Sequence, residues 1–163
     1  MTKLIPIRNR QTWYTTSFAH SPEIYSTIWS IWNASLSEVS NVENIGWFLT
    51  LQPAPVGTGS NILGIDTKAK RFGIANITPV FTNPADDDKV HHAARRLMAS
   101  IDTATKAAGL YHPYRYLNYA HGEQDVISGY GDANKAKLQA VSKKYDPRGL
   151  FQKGVPGGFK LFT

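Results

Sequence analysis

The segment Tyr111-His112-Pro113-Tyr114-Arg115-Tyr116-Leu117-Asn118-Tyr119-Ala120-His121 sets four phenols, two imidazoles and a guanidinium within eleven residues. A phenol titrates near 10, so a tyrosine acting as a base near neutrality needs a cation or a specific partner to hold its phenolate. Arg115 and His121 are the groups close in sequence. Alternation along an extended strand puts Tyr119 and His121 on one face with Leu117, and Asn118 on the other. Tyr119–His121 is therefore the best local acid/base pair. The competing reading is that Tyr114, Tyr116 and Tyr119 pack the core of their own domain.

Other constellations carry less. Asp86, Asp87 and Asp88 are adjacent, and neighbours on a helix point apart, so they complement a helix dipole and make no metal site. His91-His92 lacks the i,i+4 spacing of a zinc pair. There is no cysteine among the 163 residues. Disulfides, thiol nucleophiles and thiolate metal sites are thereby excluded.

These residues need a scaffold, and the chain can build one. Its length fits one domain, 1–163, and 42% hydrophobic with 18% charged residues excludes a disordered chain. The N-terminus Met1-Thr2-Lys3-Leu4-Ile5-Pro6 lacks a signal-peptide apolar run, which favours the cytoplasm. No run approaches a membrane span. Residues Gly131–Thr163 carry +5 of the net +6. They form no basic run with interleaved aromatics, so a solvated helix face is expected and nucleic acid is not.

Ser21, Pro22 and Glu23 open a helix as N-cap, first-turn proline and dipole-matched acid. Ile24, Ile28 and Ile31 form one stripe and Tyr25, Trp29, Trp32 and Leu36 a second, which predicts burial along much of its length. A second helix follows Asn83-Pro84, with Val90, Ala94, Leu97, Ile101, Ala104 and Ala108 inward and Gly109 as C-cap. A third spans Ala133 to Lys144. Strands are expected at Thr12 to Phe18, Trp47 to Gln52 and Phe72 to Val80. Without a regular βαβ rhythm, the mixture predicts an α+β fold, an antiparallel sheet with helices packed on one face.

Tyr116-x-Asn118-Tyr119, then Ser128-Gly129-Tyr130-Gly131, Lys144-Tyr145-Asp146-Pro147 and Leu150-Phe151-Gln152 form a succession. It resembles the C-terminal signature of the fungal type of berberine-bridge-enzyme-like, FAD-linked oxidases. Leu51-Gln52-Pro53, Gly59-Ser60-Asn61-Ile62-Leu63-Gly64 and Gly157-Gly158-Phe159-Lys160-Leu161 fit the same pattern. The resemblance implies a substrate domain, equivalent to the last third of such an oxidase, with no counterpart of the FAD-binding domain. It makes Tyr119 the catalytic base and places Tyr116, Asn118 and Tyr130 toward flavin and substrate. Tyr114, from the same phenol-rich stretch, joins them as a substrate-binding residue. Where the family often carries an acid two residues after the motif, His121 stands.

The expected function is a flavin-oxidase-like domain working without flavin as a cyclase or isomerase of secondary metabolism, on an apolar or polycyclic substrate. Tyr119 and His121 are its catalytic candidates. No flavin is expected on the isolated chain, since Gly57-Thr58-Gly59-Ser60 leads to no helix. The alternatives are the C-terminal chain of a two-chain FAD-dependent oxidoreductase and a non-catalytic binding or scaffold protein. A homodimer through Trp29 or Trp32, or a partner chain, is expected to cover the apolar helix.

Overall fold

The computed structural model describes residues 9–54, 59, 61–65 and 71–162. The N-terminal readings at Met1–Pro6, and Gly57, Thr58 and Ser60 of the glycine-rich loop, lie outside the described residues.

The strands are β1 (Arg10–Gln11), β2 (Tyr14–Ala19), β3 (Gly46–Pro53), β4 (Phe72–Phe81) and β5 (Tyr111–His112). The helices are α1 (Pro22–Val39), α2 (Asp87–Ala107), α3 (Asp132–Tyr145) and α4 (Leu150–Lys153). β4 is central and buried throughout. It pairs antiparallel with β3 on one side and with β1 and β2 on the other, and β2 pairs antiparallel with β5. The chain is α+β, as its irregular order of elements predicts.

β1 and β2 share one register along β4: Gln11 faces Val80 and Tyr14 faces Ile77, with Thr12 N–H donating to the Pro79 carbonyl between them. Side chains alternate across that line. Tyr14 and Phe18, with Ala75, Ile77 and Phe81 of β4, face α1 and α2. There they meet Ile24, Ile28 and Val39 of α1 and Val90, Ala94, Leu97 and Ile101 of α2. Each large aliphatic side chain buried there contributes roughly 1.5–3 kcal/mol. Trp47 Nε1 donates to Ser35 Oγ at 2.9 Å, tying β3 to α1.

α1 starts where expected, with Ser21 Oγ accepting the Ile24 amide at 3.2 Å. Its burial is narrower than the two stripes predict. Ile24, Ile28, Ser35 and Val39 are buried, whereas Trp29 is 58% exposed. Tyr25, Ile31 and Trp32 lie partly buried against that core, and only Trp29 and Leu36 of the second stripe turn outward. α2 drifts similarly: Thr105 is buried, donating to the Ile101 carbonyl, while Ala108 is exposed. Gly109, at φ +66°, ends α2 in a Schellman turn, with Gly109 N–H on the Lys106 carbonyl and Leu110 N–H on that of Thr105.

The opposite face of the sheet meets the C-terminal third at one end. Phe72 and Ile74 pack with Tyr114, Val126, Ile127 and Tyr130, and Leu138 of α3 lies partly buried against them. Asp102 and Arg115 pair at 2.9 Å beside β2, where Arg115 Nη1 also donates to the Thr15 carbonyl at 2.6 Å.

Among the described residues no helix is long and apolar enough to cross a membrane, and no cluster of ligating side chains converges as a metal site.

Candidate functional site

Leu117–Tyr119 is a single 3-10 turn, closed by Ala120 N–H on the Leu117 carbonyl at 3.4 Å. The strand alternation expected there does not apply. Tyr119 stacks on Trp13 with centroids 5.2 Å apart, while His121 stacks on Tyr14 at 4.5 Å. The β1–β2 register puts Trp13 and Tyr14 on opposite sides of the sheet. The segment thus wraps the sheet edge, and Tyr119 and His121 belong to different clusters. Arg115 faces Asp102 and the Thr15 carbonyl.

What holds the segment at that edge is Gln124. β5 pairs with β2 only at Ser17 and Phe18, leaving Thr15 at an open edge. Gln124 supplies the missing pairing with its side chain: Oε1 accepts Thr15 N–H at 3.0 Å and Nε2 donates to the Thr15 carbonyl at 2.8 Å. The same Oε1 accepts the His121 amide at 3.1 Å. One side-chain amide stands in for a strand residue and anchors the turn carrying His121.

The cluster opposite the helices is an aromatic platform. Tyr116 meets Tyr119 edge-on at 4.8 Å, and Asn118 Nδ2 donates to Tyr116 Oη at 2.9 Å. That bond leaves the Tyr116 hydroxyl proton and the Asn118 carbonyl available to a ligand. The cross-strand neighbours Thr78 and Phe48 share the Trp13 row, and Phe48 is 53% exposed. Asn76, on the same sheet face, gives its Nδ2 to Thr78 Oγ1 at 2.8 Å, while its Oδ1 is buried with no hydrogen-bond partner among the described residues. Buried orphans of this kind are uncommon. Among the described residues the Tyr119 hydroxyl has no hydrogen-bond partner, so it can act on a ligand.

The helix-side cluster has different chemistry. Tyr14 Oη and His91 Nδ1 are hydrogen-bonded at 3.0 Å. Burial, reinforced by the charge of Glu123, pushes the Tyr14 phenol up to about 12, so it remains protonated. Burial lowers the His121 imidazole, and Glu123 N–H donates to its Nδ1 at 3.3 Å, which requires that nitrogen unprotonated. Arg95, hydrogen-bonded to Glu123, holds that carboxyl below the usual range. Tyr14 and His91 are 77 residues apart, and only strand alternation and the α2 stripe hint that they meet.

Tyr114 and Tyr130 sit in the second core, 2% and 5% exposed, with rings 6.1 Å apart. Burial pushes Tyr114 up to about 12 and raises Tyr130. Both serve as the packed floor behind Tyr116.

No family model matches the chain, and no solved structure matches it. Curated proteins do. An oligopeptidase of Diaporthe leptostromiformis is 31% identical over 93% of this chain but only 13% of its own length. A FAD-dependent monooxygenase of Arthrobotrys oligospora is 32% identical over 88% of this chain and 29% of its own. A bifunctional solanapyrone synthase of Alternaria solani is 29% identical over 93% of this chain and 30% of its own. The chain spans less than a third of each of these relatives. Over most of its length it corresponds to a part of larger fungal proteins, several of them FAD-dependent monooxygenases.

Proposed function

We propose that this chain is a berberine-bridge-enzyme-like substrate domain that acts, without flavin of its own, as a cyclase or isomerase on an apolar, polyketide-like small molecule. One observation carries the reading: the Trp13–Tyr119–Tyr116 platform with Asn118 beside it, on the sheet face away from α1 and α2. A flat or folded apolar chain gains contact area on these rings, and the few polar atoms orient it. Tyr119 Oη donates its proton to a substrate carbonyl oxygen and recovers one as the ring closes. The reaction is then neutral in protons and electrons. Trp13 packs against the Tyr119 ring, and Tyr116 with Asn118 holds the polar end.

The FAD-dependent relatives favour a second reading, in which this chain completes a flavin site furnished by another polypeptide. The residues fit the ring end of FAD: Trp13 and Tyr119 offer an aromatic surface, and Tyr116 and Asn118 offer hydrogen bonds to a ring edge. Bound there, FAD supplies a two-electron acceptor. Tyr119 would hold the substrate proton in either case.

The test is incubation of the purified chain with linear polyketide-like substrates, anaerobically without flavin and in air with added FAD, read by mass spectrometry and visible absorbance. The expected product has the mass of its substrate and forms without flavin bands. A product two hydrogens lighter, formed only with added FAD and oxygen, replaces the first reading with the second.

A further inference from the structure

One concavity shares no lining residue with the aromatic platform, and the function above makes no use of it. It has a volume of about 420 Å³ and is bounded by the end of α3, the turn into α4 and the C-terminal tail. Lys143, Arg148, Lys153 and Lys160 line it, with Asp146 as the one carboxylate among its lining residues.

That carboxylate is already committed. Asp146 Oδ1 accepts Leu150 N–H at 2.8 Å and Oδ2 accepts Phe151 N–H at 2.9 Å, so both oxygens turn toward the backbone of α4. Among the described residues, Lys143, Arg148 and Lys153 have no ion-pair partner. Lys160 is held in place by the Val155 carbonyl at 2.8 Å. Three cations without an ion-pair partner among the described residues therefore line one space, together with Lys160. Sequence order alone reads this basic segment as a solvated face. The fold instead gathers these four cations around a hollow, while Lys135 goes to Ser128 Oγ and Lys144 lies over the Tyr145 ring.

The walls are built. Gln139 Nε2 donates to the Leu161 carbonyl at 2.7 Å, and Gln152 Oε1 accepts Leu161 N–H at 2.9 Å. These bonds fix the tail that carries Lys160 and Phe162 against α3 and α4. Gly149, at φ +68°, makes the turn that sets Arg148 at the mouth. Pro147 and Phe162 add apolar surface, with Lys143 Nζ 5.7 Å from the Phe162 ring centre.

We propose that this hollow binds a phosphate-bearing small molecule with at least two negative charges. A single carboxylate would leave most of the positive charge uncompensated. A diphosphate has the charge and the oxygens to engage Arg148 in forked fashion and the lysines as point charges. The volume lies within the range of small-molecule sites. Inorganic diphosphate and a nucleoside diphosphate share this chemistry.

Isothermal titration calorimetry of the whole chain with pyrophosphate and with ADP, at low and high salt, tests it. Binding should saturate at one site and weaken as salt rises, because the cations are exposed. ADP binding more tightly than pyrophosphate identifies a nucleotide resting on Phe162 and Pro147; equal binding identifies the inorganic anion. R148Q with K153Q should weaken binding at least tenfold, whereas K137Q, a lysine outside the hollow, should leave it unchanged. Circular dichroism verifies that each variant is folded. No binding of either anion at millimolar concentration overturns the proposal, as does binding that R148Q/K153Q and K137Q reduce equally.

Discussion

Tyr119 and His121 are two residues apart and yet do different work. Tyr119 offers a hydroxyl with no hydrogen-bond partner among the described residues; His121 is a half-buried ring held between Tyr14 and a backbone amide. Tyr119→Phe keeps the stack on Trp13 and deletes only the hydroxyl. Turnover is expected to fall roughly 10²–10⁴-fold, with the melting temperature unchanged because no internal hydrogen bond is lost. Steady-state kinetics and thermal melts check this, and normal turnover in Tyr119→Phe would leave the platform a binding surface only. The Tyr-x-Asn-Tyr motif singles out this residue in the sequence. Its partner Trp13 stays hidden there, because a contact across more than a hundred residues leaves no local pattern.

At the scale of elements, local signals were legible and non-local ones were not. The Ser21 cap, the Gly109 terminator and the β-branched run of β4 each mark their element by short-range chemistry. α1 is buried less deeply than its two stripes predict, because an apolar stripe does not reveal how much sheet lies beneath it. The strand expected through Tyr119 failed for a related reason: the aromatic density that favours a strand also suits a turn wrapped over a sheet edge. β5, only two residues long, carries a testable consequence. His112 stacks on Phe72 at 4.0 Å and accepts Tyr114 N–H on Nδ1 at 3.2 Å, and burial lowers its pKa from the ordinary 6.5. His121 is lowered as well. Between the lowered folded value and the ordinary one, the unfolded chain binds more protons than the folded one. Stability is complete above 6.5 and declines as pH falls through that window. Thermal melts should show a lower midpoint near pH 5 than near pH 7.5, and His112→Asn, which retains an acceptor, should flatten part of that slope. An unchanged slope would remove His112 from the account.

For the molecule as a whole, the outward part of α1 is one apolar feature left uncovered among the described residues. Trp29 is 58% exposed and Leu36 36% exposed on one helix. We propose that a second copy covers them about a two-fold axis. Light scattering at micromolar concentration should give twice the 18.1 kDa chain mass, and Trp29→Glu should return a folded monomer. A monomeric wild-type chain contradicts the proposal.

The Gln124 clasp on Thr15 has a consequence in time. It joins residues 109 apart, and the Arg115 bond to the same Thr15 carbonyl joins residues 100 apart. Closing so long a loop costs entropy that few contacts repay early, so these bonds form after the β2–β4 pairing is in place. Interactions absent from the transition state act on the escape rate alone. Gln124→Ala should therefore leave the refolding rate in stopped-flow nearly unchanged and shift the unfolding limb upward by about the full loss in stability. The aromatic platform would then owe its persistence to a latch that closes last, and its lifetime, more than its equilibrium population, would depend on one glutamine.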